Sequence, residues 1–102
     1  MSITDFLLAR IEEDEWAARE SLPQLDRAGF ASQARRALAE CDTKRQILHL
    51  HDQTYARWGG FHMAPSRPRY CVNDRETAPC NTIKILAALY DAHPDYDKSW
   101  RP

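Results

Sequence analysis

The stretch RYCVNDRETAPC, residues 69–80, holds two of the chain's three cysteines, Cys71 and Cys80, in a polar, proline-containing run. Thiols separated in this way can serve three chemistries: ligands to a metal, partners in a disulfide, or free thiols that are packed or solvated. Zinc needs four donors, usually thiolate sulfurs and imidazole nitrogens, and a structural site is closed by all four. Cys71 and Cys80 supply two of them, and Asp74, His62, His49, His51 and His93 are the candidates to complete the set. An Asp oxygen is chemically permitted at such a centre, though uncommon. The Cys-x8-Cys spacing is not flanked by a second recognisable ligand pair, so all three chemistries stay open.

Other reactive patterns are poorer. His49 and His51 are two positions apart, which on an intact helix points their rings about 200° apart, so both cannot bind one ion. Glu12, Glu13, Asp14 and Glu15 crowd one helix, but a di-metal bundle needs matching Glu or His on a facing helix, and only Asp52 and the histidines could answer. There is no phosphate-cradling glycine loop, Gly-x-Ser-x-Gly elbow or His-Glu-x-x-His pair. Cys41 falls on an apolar helix face and reads as a small buried hydrophobe.

These residues must be positioned by a single domain, since 102 residues leave room for one modest core. Only three glycines argue against an all-β fold. No apolar run approaches a membrane span, and the amino-terminal segment turns acidic after a few apolar residues, unlike a signal peptide. An odd cysteine count without an export signal leads to a cytoplasmic expectation. The net charge of −1 conceals a division along the chain. Residues 1–26 carry seven acids against two bases, whereas residues 27–75 carry nine bases against four acids. An acidic first helix lying on a basic second one would cancel these fields. That reading disfavours a nucleic-acid face built from Arg35, Arg36, Arg57, Arg67 and Arg69, because the whole offers phosphate no long-range attraction.

The periodicity predicts a mainly α fold. A first helix runs from about residue 3 to 21, opened by Ser2 with Asp5 behind it and ended at Leu22-Pro23. Ile3, Leu7, Ile11, Ala18 and Leu22 share its inner face, and Asp14 falls within that stripe. A second helix runs from about 32 to 58, stopped by Gly59-Gly60, with Ala34, Ala37, Leu38, Cys41, Leu48 and Tyr55 inward and Arg45 among them. Packed antiparallel, the two would pair Asp14 with Arg45, with Lys44 as the alternative partner, because an unpaired buried charge costs several kcal/mol. A long irregular loop over 59–80 has room for a short hairpin around Asn73-Asp74 and for Phe61, Met63 and Tyr70 to pack on the helices. A third helix over about 82–92 places Ile83, Leu86, Ala87 and Tyr90 on one face, capped by Asn81 or Thr82. His93-Pro94 ends it, and residues 93–102 form a tail in which Tyr96 and Trp100 either fold back onto the helices or serve as partner-binding anchors.

Four stretches, ARIEEDEWAAR (9–19), CDTKRQILHLH (41–51), PCNTIKILAALY (79–90) and HPDYDKSWRP (93–102), together resemble a family of small actinobacterial proteins, the domain of unknown function DUF6221. The resemblance spans nearly the whole chain in order. It implies the fold topology and no particular activity. It also implies a Cys-x-x-Cys pair before the Pro-Cys element, where this chain departs with Cys71-Val-Asn-Asp74. The expected function is a small interaction or regulatory module, with a structural zinc site in the 62–80 loop and another protein or a second copy as partner. The alternative is a metal- or thiol-dependent enzyme using Cys71 and Cys80 with a nearby His or Asp; a nucleic-acid accessory role is the third reading.

Overall fold

A computed structural model describes residues 1–56 and 69–102, and for Tyr55 and Ala56 the backbone alone. His62, Phe61, Met63, Arg57, Arg67 and Gly59-Gly60 lie outside the described residues. Two long helices pack together, α1 (Ile3–Arg27) and α2 (Ala31–Asp52). Strands β1 (Thr54–Ala56) and β2 (Arg69–Cys71) follow, then helix α3 (Asn81–Ala88) and a 3₁₀ turn, Lys98–Trp100.

Helix α1 starts where the sequence places it, with the Ser2 hydroxyl accepting the Asp5 N–H at 3.0 Å. Its end is a correction. The helix continues through Pro23 to Arg27, because proline removes only the hydrogen bond to the Arg19 carbonyl, and both Arg19 and Pro23 face solvent. The true stop is Gly29, whose φ of +81° supplies the left-handed turn. Gly29 N–H donates to Asp26 O at 3.1 Å and Phe30 N–H to Leu25 O at 2.6 Å, the paired bonds of a Schellman ending.

Helix α2 ends before the expected Trp58, at Asp52, because Gln53 turns extended (φ −74°, ψ 121°). Thr54 and Tyr55, of types that favour strands, then pair antiparallel with Cys71 and Tyr70, and Ala56 lies opposite Arg69. Beyond β2 the chain reverses through a tight turn at residues 72–75. Arg75, at φ +56°, donates its N–H to Cys71 O at 2.8 Å, and Cys71 N–H donates to Glu76 O at 2.8 Å. Tyr70 bridges to Thr77, so a short hairpin does surround Asn73-Asp74.

The core is concentrated at one end of the helix pair. Along the outer half the seam is closed by small residues, Ala18 and Ala34. Toward the other end Ile3, Phe6, Leu7 and Ile11 of α1 meet Cys41, Leu48, Cys71, Cys80, Ile83, Leu86 and Ala87. Burial of side chains the size of Phe6, Leu7 and Ile11 stabilises by about 1.5–3 kcal/mol each. Phe6, absent from the expected stripe, is the centre of an aromatic cluster: the Tyr90, His93, Tyr96 and Trp100 rings lie 5.1–6.3 Å from it between centroids. Tyr96 and Trp100 therefore fold back onto the helices and contact each other at 5.6 Å. Buried Arg10 closes this cluster, donating to Glu13 at 2.9 Å and to the His93 ring at 2.8 Å, with its guanidinium 5.2 Å over Phe6.

The predicted Asp14–Arg45 pair is not formed. Arg45 Nε donates to Glu15 Oε1 at 2.5 Å. Asp14 instead accepts from the Tyr90 hydroxyl at 2.7 Å and faces Lys44 at 3.9 Å. The reason is rotational. Asp14 and Glu15 are three and four positions beyond Ile11, and Lys44 and Arg45 are three and four beyond Cys41. Each pair straddles the Ile11–Cys41 seam, and one ion pair forms on either flank.

Candidate metal centre

Three segments meet where the hairpin abuts the helices. His51 comes from the last turn of α2, Cys71 from the end of β2, Asp74 from the turn after it, and Cys80 from the residue that caps α3. Their ligand atoms all lie within 4.8 Å of one another. Local structure explains the convergence. The β1–β2 pairing returns the chain to the end of α2, and Asn73 secures it by donating its side-chain amide to the Leu50 carbonyl. Cys80 is fixed from the other side, since α3 is anchored in the core by Ile83, Leu86 and Ala87.

The three separations from His51 match the edges of a tetrahedral ion's ligand set. Zinc lies about 2.3 Å from sulfur and about 2.0 Å from nitrogen or oxygen, so regular tetrahedral edges are about 3.5 Å for S···N and about 3.3 Å for N···O. His51 Nδ1 stands 3.7 Å from the sulfurs of both Cys71 and Cys80, and 3.2 Å from Asp74 Oδ2. One ring nitrogen thus faces three other donors at ligand-to-ligand spacing. The Asp74 N–H points at the Cys71 sulfur at 3.4 Å. The Thr82 hydroxyl donates to Asp74 Oδ2 at 2.6 Å, the outer support that orients a ligating carboxylate.

The electrostatics suit a cation. Burial pushes the Cys80 thiol up to about 11, with Asp74 and Cys71 adding to the rise against the opposing Ile83 N–H. The Thr82 hydroxyl, helped by Cys80 and His51, holds the Asp74 carboxyl below its usual range. Burial thus disfavours the charged form of the Cys80 sulfur, a cost that a bound divalent cation would relieve. The two sulfurs belong to fully buried residues, whereas the His51 and Asp74 side chains are 16% and 22% exposed. The set of two thiolates, an imidazole and a carboxylate fits zinc, and with four protein donors it fits a closed site.

The other sequence candidates lie elsewhere. His49 is exposed on α2, as the 200° argument requires. His93 belongs to the aromatic cluster with Arg10. Cys41 is buried at the helix seam, its thiol pushed up first by burial and then by Asp14. Asp52 accepts from Thr4 at 2.7 Å and so ties the end of α2 to the start of α1. Sequence reasoning missed Arg10 and took Thr82 as a helix-cap candidate, whereas Cys80 holds the cap position and Thr82 donates to Asp74. Arg10 follows Phe6 by four positions and Leu7 by three, which is a signal that it shares the inner face.

Fold and site together define a small helical-hairpin domain with a Cys2HisAsp donor cluster at the end opposite the α1–α2 turn. The chain belongs to a family of unknown function, DUF6221, whose model matches residues 1–102. No curated protein and no solved structure matches it. Among the described residues no helix is long and apolar enough to cross a membrane.

Proposed function

We propose that this chain is a small interaction or regulatory module in which the end opposite the α1–α2 turn is held by zinc bound to His51, Cys71, Asp74 and Cys80. The observation that carries the reading is the single ring nitrogen of His51 at ligand spacing from three other donors. Four protein donors favour a structural role over catalysis, which would want three and a water. Zinc there would clamp the end of α2, the hairpin and the start of α3 together. Outside that clamp the domain offers apolar surface to another protein or a second copy: Ile85 on α3, Leu89 just past its end, and Trp16 on α1 are exposed. The nucleic-acid reading draws less support, since Arg36 is engaged by Glu40 and Arg69 by Thr54.

Elemental analysis of the purified protein combined with a free-thiol count tests the proposal. One zinc per chain, with Cys71 and Cys80 protected until a chelator is added, is the expected result. A metal-free protein with three titratable thiols after denaturation alone would discard it.

A further inference from the structure

The four donors are not equivalent, and their inequality bears on how the proposed zinc site would be regulated. Both sulfurs are sealed, while the carboxylate of Asp74 is the most exposed side chain of the set. Asp74 is also the hard donor opposite two soft ones, and the ligand that a softer donor can most readily displace. Its backbone is secured independently of its side chain: the turn is closed by Arg75 N–H on Cys71 O and by Asp74 N–H on the Cys71 sulfur. A rotation of the Asp74 side chain alone would therefore open one corner, with no unfolding of the hairpin. The displaced carboxylate would not be orphaned, because solvent reaches it, and the bond from Thr82 is what it gives up on leaving.

We infer that Asp74 is a detachable ligand and that the centre accepts an outside thiolate in its place. This rests on the zinc reading above and adds a regulated corner to it. In the exchange a sulfur–metal bond forms, the Asp74 oxygen–metal bond breaks, and the incoming thiol's proton goes to solvent. Thiolate replaces carboxylate at equal charge in the metal's ligand set, and the displaced carboxylate carries its negative charge to the solvent-exposed side of the site. The thiolate could come from a small thiol or from a cysteine of a partner protein.

The test uses the full chain loaded with cobalt(II), whose visible and near-ultraviolet bands report ligand number and thiolate count, titrated with 2-mercaptoethanol and, in parallel, with a blocked Gly-Cys-Gly peptide. Wild type is expected to gain thiolate charge-transfer intensity while retaining its cobalt. Asp74→Ala should bind the probe about 10–100-fold more tightly, and Thr82→Val several-fold more tightly, with Thr82→Ser restoring the wild-type value. Asp74→Cys, with a third protein thiolate in place, should not respond. Tighter binding of the peptide than of 2-mercaptoethanol would point to a partner's cysteine, and equal binding to a small thiol. An unchanged spectrum, an equal response in Asp74→Cys, or loss of cobalt from the protein would overturn the inference. Stoichiometric zinc in the same preparations would show that only the detachable corner had failed, whereas absence of any cobalt or zinc binding would remove the centre and the inference together.

Discussion

The donor cluster and the aromatic cluster around Phe6 share one core, yet they join distant parts of the chain by opposite means. At Phe6 the tail is held by burial: Tyr90, His93, Tyr96 and Trp100 surround one ring, and the contacts need nothing from outside. At His51 the segments converge on polar atoms that would repel one another as anions. Under the zinc reading proposed above such an arrangement would gain stability from a cation, so the two ends of the same core should answer differently to chemistry and alike to heat. Burial makes a joint that needs no cofactor; converging donors would make one that depends on supply.

The largest expected effect separates the two. Chelation should lower the unfolding free energy of wild type by about 4 kcal/mol relative to zinc at a thousand times its dissociation constant. In Cys80→Ser the chelator should change nothing, and thermal unfolding with and without it reads both. Next, Phe6→Ala should cost about 3–5 kcal/mol while metal stoichiometry is retained. If Phe6→Ala also abolished metal binding, the two joints would be one cooperative unit and the contrast would fail.

Smaller effects sharpen the boundary between them. Tyr90 packs against Phe6 but sends its hydroxyl to Asp14 and accepts from Lys44 at 3.1 Å. Tyr90→Phe should cost about 1 kcal/mol in denaturant unfolding. Burial, then the Asp14 carboxylate, raises the Tyr90 hydroxyl well above the ordinary tyrosine range. Its folded value thus exceeds its unfolded one, and its contribution is whole below about pH 10 and lost as pH rises through the folded value. Ultraviolet titration should show one late tyrosine that Tyr90→Phe removes. Last, Glu15→Gln should cost up to about 1 kcal/mol, less at high salt, because Arg45 is partly solvated.

Much of this arrangement was legible in the residues. Periodicity placed three helices in order, and the Pro-Cys start of the last one put Cys80 at its threshold. The helical angle between His49 and His51 required that one ion could take only one of them. What periodicity could not resolve was rotation at the seam. When charges sit three and four positions beyond the buried residue, a small turn of either helix decides which pair forms, and so Asp14 and Arg45 were matched wrongly. Nor could local propensity see that Pro23 points to solvent, where its missing N–H is tolerated, or that β2 would recruit Thr54 and Tyr55 out of the second helix. Those outcomes depend on partners far away in sequence.

The register that sets Ala56 beside Arg69 has a consequence for the chain between them. Its two ends are already held together by the strand ladder, and by the donors just behind it. Closing a loop costs free energy that grows only with the logarithm of its length, about 0.6 kcal/mol for each doubling. By the same reckoning, the ladder that fixes Cys71 would be little weakened by a longer connection between its two strands.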